Sequence, residues 1–326
     1  MRALRYHAFG KPADVLQLDD VPTPEPGPGE VRVRMTHRSI NPADLHTVLG
    51  HYGNLPDLPA VGGHEGVGRV DALGDGVTGV EIGQRVVPLG VEGTWREHVV
   101  VGTDDLFVVP AGVADEAAAQ LFVNPLTAWL MLEHLDLQEG DWLVQTAATS
   151  QVGRLVIQLA RRRGLRTVNL VRREDARAEL TALGADDVLV TEGEEDSVRE
   201  RILDVTAGGA AGALDGVGGA VGSLVARCLG DEGTMLVYGR LSGEPLTVDG
   251  GMLIFRRATV RGFWRTRWFE LAPRDETRAA LTHLATLIAG GALLLPVDAT
   301  YDLADFAGAV ALSRASGRTG KVLLTG

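Results

Sequence analysis

Trp142-Leu-Val-Gln-Thr-Ala-Ala-Thr-Ser-Gln-Val-Gly-Arg-Leu-Val-Ile-Gln-Leu-Ala-Arg-Arg-Arg163 decides the fold. Trp142 to Thr146 is short and apolar enough for a buried strand. Val152 to Arg163 places Val152, Leu155, Val156, Leu159 and Ala160 on one helical face. The loop between them, Thr146 to Gly153, holds small residues and Ser150. Such a strand, loop and helix bring free N–H groups and the positive end of a helix dipole to one point, which suits a pyrophosphate. Ser150, Gln151, Val152 and Gly153 are therefore candidate cofactor residues. The full GxGxxG pattern is absent, and Gln151 stands where a glycine is usual.

Working outward, the alternation continues. Thr167–Val171, Asp187–Thr191, Gly212–Val217 and Thr234–Gly239 read as strands. Helices are expected near 174–183, 196–207 and 220–229. Thr259–Phe263 adds another strand. A strand–helix alternation of this kind means a doubly wound parallel sheet, the dinucleotide-binding pattern. Gly216-Val-Gly-Gly-Ala-Val-Gly222 looks more like a glycine fingerprint than the true loop does. It follows the fourth strand, so it reads as a tight turn bordering the cofactor.

The end of the second strand selects the cofactor. An acidic residue there would bind a ribose 2′-OH. Here Val171 runs into Arg172 and Arg173, whose guanidiniums suit a 2′-phosphate. NADPH is expected over NADH, with a solvated basic turn beside Glu174 as the plainer alternative.

On the N-terminal side, residues up to about 125 are β-rich. Glu30–Met35, Gly66–Val70, Arg85–Pro88 and Glu97–Val101 are short strands separated by glycines, as in a barrel. Pro22–Pro28 reads as an extended connection. A helical start follows at Asp115–Gln120 and another helix at Asn124–His134. A helix near 275–289 and a strand at Lys321–Thr325 close the chain. No fixed-period repeat is present.

Composition sets limits. The chain has 326 residues, 45% hydrophobic and 23% charged, and a net charge of −12. That is ordinary for a globular protein of about two domains. The acidic balance argues against general nucleic-acid or anionic-membrane binding. The longest uncharged stretch, Ala279–Val297, carries two glycines and a proline and suits a helix, turn and strand. Met1–Tyr6 shows no apolar signal-peptide core. One cysteine, Cys228, excludes an internal disulfide and fits a reducing cytoplasm. It reads as a small buried hydrophobe in a helix. His46, His51 and His64 lie close in sequence, but no cysteine joins them. His64 and Glu65 read as hydrogen-bonded structural or cofactor-proximal groups rather than zinc ligands.

The order of barrel, Asn41-Pro-Ala-Asp44, Gly62-Gly-His-Glu-Gly-Val-Gly68, Val123-Asn-Pro-Leu-Thr-Ala-Trp129 and Rossmann pattern resembles the medium-chain dehydrogenase/reductase superfamily over essentially the whole chain. The resemblance implies a GroES-like β-barrel catalytic domain (1–122), an NADP-binding Rossmann domain (123–266) and a C-terminal return to the catalytic domain (267–326). In zinc-dependent members a cysteine stands at the position of Asn41 and the His64 position is a ligand. The four-cysteine lobe is also absent, so the chain resembles the zinc-independent branch. His51 to Gly66, Gly93-Thr-Trp-Arg96, Leu165–Arg172, Leu253-Ile-Phe255 and Arg261-Gly-Phe-Trp264 are similar to trans-2-enoyl thioester reductases. That family implies Tyr52 as proton donor. It implies Asn41, Asn124, Thr127, Tyr238, Gly239, Phe263, Trp264 and Lys321 along the NADPH site. It also implies a homodimer formed through the strand near Thr259. His64 in place of an asparagine, Gln151, and Arg240 after Gly239 depart from the family pattern.

The chemistry agrees. Reducing a conjugated thioester puts hydride on the β-carbon and negative charge on the α-carbon and carbonyl oxygen, which needs an acid. A neutral tyrosine serves without a metal, and a plain alternative for Tyr52 is a packed surface ring. Five arginines (256, 257, 261, 265 and 267) reverse the sign of charge locally. They suit coenzyme A or acyl carrier protein, or simply protect a basic sheet edge. Trp264, Arg265 and Trp268 are candidate substrate contacts, the tryptophans alternatively core or dimer packing. The expected activity is NADPH-dependent reduction of enoyl thioesters. The alternatives are a quinone or enone oxidoreductase and a catalytically idle NADPH-binding protein.

Overall fold

The computed structural model describes residues 1–191 and 195–326. The chain divides into two compact units, Met1–Val123 with Phe269–Gly326, and Asn124–Trp268.

The second unit is built on a six-stranded parallel sheet. Its spatial order is Asp187–Val190, Arg166–Val171, Trp142–Gln145, Ala210–Asp215, Leu229–Val237 and Thr259–Gly262. Numbered along the chain this reads 3-2-1-4-5-6, the doubly wound dinucleotide order. The two strands flanking the reversal are Trp142–Gln145 and Ala210–Asp215, paired at Gly212, Ala213 and Leu214. β-Branched and aliphatic side chains fill both sides of the sheet. Val144, Val168, Ile202 and Leu224 belong to one cluster. Ile157, Val171, Leu180 and Val188 belong to the other. A sheet covered on both faces explains why its strands read as continuous apolar runs. The helix Gln151–Arg162 packs against Asn124–Leu135. It is buried from Gly153 through Ala160, wider than the predicted stripe.

In the first unit a seven-stranded sheet carries the barrel. Its order is Val297–Asp302, Lys321–Thr325, Glu30–Ser39, Val67–Leu73, Arg85–Pro88 and Leu106–Val108, with His98–Gly102 also paired to Glu30–Ser39. A second, three-stranded sheet joins Leu16–Asp20, Arg2–Tyr6 and Ala60–Val61. Val31, Val33, Val70, Val86 and Val99 form the barrel core. Leu4, Tyr6, Ile40, Trp95, Val322 and Leu324 form another. The C-terminal strand lies inside the sheet, pairing parallel to one neighbour and antiparallel to Glu30–Ser39.

Two local expectations need correction. The helix expected over 220–229 ends at Ala226, and Leu229 opens the nine-residue strand Leu229–Val237. Cys228 therefore sits in a turn, still buried. Gly230 and Gly233 inside that strand weaken its β signal. The arginine-rich stretch is not one basic strand: only Thr259–Gly262 is extended, and Arg265–Leu271 is a helix. Among the described residues no helix is long and apolar enough to cross a membrane.

Candidate active site

In the first unit the site begins with two glycines. A Cβ at Gly62 would lie 2.4 Å from the Trp95 ring, and one at Gly63 would lie 2.4 Å from it and 2.5 Å from the Thr94 hydroxyl. Gly63 also has φ +96°. The backbone thus runs flat against Trp95 and delivers His64 and Glu65 inward. Trp95 in turn donates from its indole N–H to the Ser39 carbonyl, at 3.2 Å.

Glu65 is fully buried. It accepts hydrogen bonds from the Ser39 hydroxyl, from Asn41 Nδ2 at 2.7 Å and from the Val123 backbone N–H at 2.8 Å. The Lys321 ammonium donates to Asn41 Oδ1 and, at 3.4 Å, to the Ile40 carbonyl. Asn41 thereby stands between a buried cation and a buried anion. Burial pushes Glu65 above the usual carboxylate range, opposed by those hydrogen bonds and by Lys321. Burial lowers Lys321 to about 8, with Glu65 and Asp44 resisting.

Beside this network, Asp44 sits at the third position of the helix Pro42–Val48. It accepts from the Asn41 backbone N–H at 2.6 Å, a capping box. Its other oxygen meets His64 Nδ1. The Tyr52 ring lies 5.7 Å from the His64 ring, centroid to centroid, tilted by 52°. Among the described residues no three His, Cys, Asp or Glu side chains converge as a metal site.

In the second unit, Ser150 caps the helix Gln151–Arg162, its hydroxyl accepting from the Gly153 N–H at 3.1 Å. A Cβ at Gly153 would come within 2.7 Å of the Ala147 carbonyl oxygen and of Ala148. Only glycine permits that approach of helix to loop. Arg154 fastens the loop by donating to the Thr149 carbonyl and forks onto Glu179 at 2.9 and 3.0 Å. At the topological switch point the Thr146 hydroxyl donates to Asp215 at 2.7 Å and accepts from the Gly216 N–H at 2.9 Å. Asp215 also accepts from the N–H groups of Val217 and Gly218. Two amides of the glycine-rich turn are thus committed to Asp215. Tyr238 lies over Gly216, where a Cβ would be 2.9 Å from its hydroxyl. That hydroxyl is buried, and burial raises its pKa.

Arg172 and Arg173 are exposed just beyond Arg166–Val171. Arg173 is 3.5 Å from Asp175. Glu174 is forked by Arg177, one bond at 3.0 Å. The acidic residue nearest the strand end is therefore occupied, and Arg172 makes no hydrogen bond or ion pair among the described residues. A glycine-tight loop, a capped helix and an uncommitted arginine at the strand end fit a dinucleotide with a 2′-phosphate.

The other predicted residues lie as follows. Asn124 and Thr127 are in the first turn of Asn124–Leu135, and Asn124 is buried. Gly239 follows Tyr238 just past Leu229–Val237. The Phe263 ring meets His134 edge-on at 5.3 Å. Trp264 precedes the helix that carries Arg265 and Trp268. The arginine cluster disperses. Arg256 donates to the Leu229 carbonyl at 2.6 Å, Arg257 pairs with Glu232 at 2.5 Å, and Arg261 donates to the His134 carbonyl at 2.8 Å. These contacts tie each of the three to its own neighbourhood, and Arg257 and Arg261 stay exposed. Sequence reasoning missed Ser39 and Asp215 as partners, and missed Asp44 as the residue that holds His64. The Asn41-Pro-Ala-Asp44 capping pattern was the available signal for Asp44.

Comparison with known proteins follows this geometry. Residues 27–111 match the alcohol dehydrogenase GroES-like domain, and residues 152–286 match the family described as zinc-binding dehydrogenase. The mitochondrial enoyl-[acyl-carrier-protein] reductase of Bos taurus is 38% identical over 333 residues, covering 100% of this chain and 88% of the relative. That relative is named as mitochondrial, and a single buried cysteine suits that setting as well as a cytoplasm. The Etr1p/NADP/crotonyl-CoA complex is 27% identical with a TM-score of 0.88, covering 100% of this chain and 99% of the other. A quinone oxidoreductase of Pseudomonas syringae is 26% identical with a TM-score of 0.90, again covering 100% and 99%. The chain therefore belongs to the medium-chain dehydrogenase/reductase family of nicotinamide-dependent oxidoreductases, among its enoyl reductase-like and quinone oxidoreductase-like members.

Proposed function

We propose that this protein uses NADPH to reduce the Cα–Cβ double bond of trans-2-enoyl thioesters, with Tyr52 as proton donor. The supporting observation is the full-length likeness to enoyl-[acyl-carrier-protein] reductases, combined with a tyrosine placed against the Asp44-anchored His64. Bound NADPH would supply the hydride for the β-carbon. The chain's own residues do the rest. Ser150, Gln151, Val152 and Gly153 bind the pyrophosphate at the helix N-terminus. Arg172, with Arg173, takes the 2′-phosphate. Asn41, Lys321, Asn124, Thr127, Tyr238, Gly239, Phe263 and Trp264 line the nucleotide. Tyr52 protonates the α-carbon as charge builds there. Trp264, Arg265 and Trp268 border the acyl thioester, carried by coenzyme A or by acyl carrier protein. Two copies pair through the exposed edge Thr259–Gly262.

A second reading, quinone or enone reduction, is favoured by the likeness to the Pseudomonas syringae quinone oxidoreductase. NADPH oxidation followed at 340 nm with crotonyl-CoA and with 1,4-naphthoquinone separates the two. Turnover of the quinone alone overturns the enoyl reading. Arg172→Ala tests the cofactor assignment. Charge-assisted hydrogen bonds contribute about 1.5–3 kcal/mol, so NADPH affinity should fall about 10- to 100-fold while NADH affinity stays unchanged. Unaltered NADPH affinity removes Arg172 from the site.

A further inference from the structure

Among the buried donors of the first unit without partners in the described residues, two belong to side chains that line one cavity of about 250 Å³, Tyr6 and Arg96. The strand Arg2–Tyr6 runs beside Arg96, joined by the Leu4 N–H to the Trp95 carbonyl at 2.8 Å. Tyr6 has no exposed surface, and its hydroxyl has no hydrogen-bond partner. Arg96 is half-buried, its Nε is buried without a partner, and its guanidinium makes no hydrogen bond or ion pair among the described residues. Burial lowers the Arg96 pKa and raises that of Tyr6 to about 12. An unpaired guanidinium withdrawn from water is costly. A ligand that brings an anion to it recovers that cost.

We propose that this cavity binds a small carboxylate, gripped by the Arg96 guanidinium and the Tyr6 hydroxyl. The planar fork of a guanidinium matches a carboxylate in shape and charge. The other polar groups facing the cavity are committed or peripheral. The Thr47 hydroxyl donates to the Ala43 carbonyl at 2.9 Å, and His64 is held by Asp44. Asp57 and Glu92 are exposed. These two exposed carboxylates oppose a multiply charged anion more strongly than a singly charged one, so a monoanion suits the cavity better than a phosphate. Pro59, Ala60 and Val61 supply an apolar wall for its carbon chain. At about 30 Å³ per water, the volume suits a molecule of about eight heavy atoms. His64 borders both the cavity and Tyr52, so the carboxylate has two sources. It is a free acid, or it is the far end of an acyl chain under reduction; the second source rests on the function proposed above.

Butyrate and its neutral isostere butyramide test this on the full-length protein, with binding read by ligand-observed NMR. Butyrate should bind at least 10-fold more tightly than butyramide. Arg96→Met should abolish that preference, and Tyr6→Phe should weaken butyrate about 3- to 10-fold. Equal binding of the two ligands, or no butyrate binding up to tens of millimolar, overturns the proposal. That comparison stands on the unaltered protein even where Arg96→Met fails to fold. Kinetics then separate the sources. A trans-2-enoyl-CoA ending in a carboxylate should outperform crotonyl-CoA in kcat/KM if the acyl chain supplies the anion, and Arg96→Met should erase the advantage. Equal kcat/KM beside butyrate binding assigns the cavity to a free acid. Absence of any turnover beside butyrate binding would sink the enoyl reading alone.

Discussion

Replacing Tyr52 by phenylalanine should lower turnover of enoyl thioesters by about 10²–10⁴-fold, the usual worth of a positioned general acid. NADPH affinity should stay unchanged. Protonating the α-carbon requires a group that holds a proton to give, and the substitution removes the phenol oxygen while keeping the ring. The ring's packing against His64 should therefore survive. Loss of kcat with an intact dissociation constant for NADPH supports the assignment. Full turnover by Tyr52→Phe would remove the phenol from the mechanism and leave solvent as the proton source.

Glu65→Leu should destabilise the first unit by about 3–5 kcal/mol, as expected when one member of a buried charge network is lost. The leucine would remove the acceptor of the Ser39 hydroxyl and of the Val123 N–H, and one of the two acceptors of Asn41 Nδ2, which keeps its bond to Ser39 Oγ at 3.0 Å. It would also take from the buried Lys321 the larger of its two opposing charges, leaving Asp44 alone. Glu65→Gln keeps acceptor capacity and should cost less. Denaturant unfolding of the three proteins provides the measure, and a loss under about 1 kcal/mol for Glu65→Leu would mean that the network adds little. Lys321 gives the same network a pH signature. Its folded pKa is lowered from 10.5 to about 8. Between those values the unfolded chain holds a proton that the folded chain has released, so this group makes stability rise with pH. Tyr6, raised from 10 to about 12, acts in the opposite sense above pH 10. Cys228, raised from 9.0 to about 11, also opposes the lysine above pH 9, and Arg38, lowered to about 9, adds to it there. The slope between pH 8 and 9 therefore reports the lysine, and Lys321→Met should flatten it.

The Rossmann unit was legible because its signals are local. A buried strand of four residues, a serine cap and an amphipathic helix occur within 22 consecutive positions of the sequence, 142–163. The network around Glu65 was not, because its members come from positions 39, 41, 65, 123 and 321 and meet only when four separate segments fold together. Nothing in the spacing of Lys321 from Asn41 announces that contact; resemblance to the family supplied the two residues, but not the bond between them. The strand at Leu229 was misread for a different reason. Glycines that serve close backbone packing give no side-chain periodicity, so a strand rich in them looks like a turn.

The strand Lys321–Thr325, wedged between Val297–Asp302 and Glu30–Ser39, also fixes an order of events during synthesis. Asn124–Trp268 is one uninterrupted stretch, so it can form its sheet while still tethered to the ribosome, as domains generally do in emerging chains. The barrel cannot: residues 1–123 emerge with an unfilled slot beside Glu30–Ser39, and the element that fills it is translated only after Asn124–Trp268. The unit carrying Tyr52 is thus begun before the Rossmann stretch and completed after it.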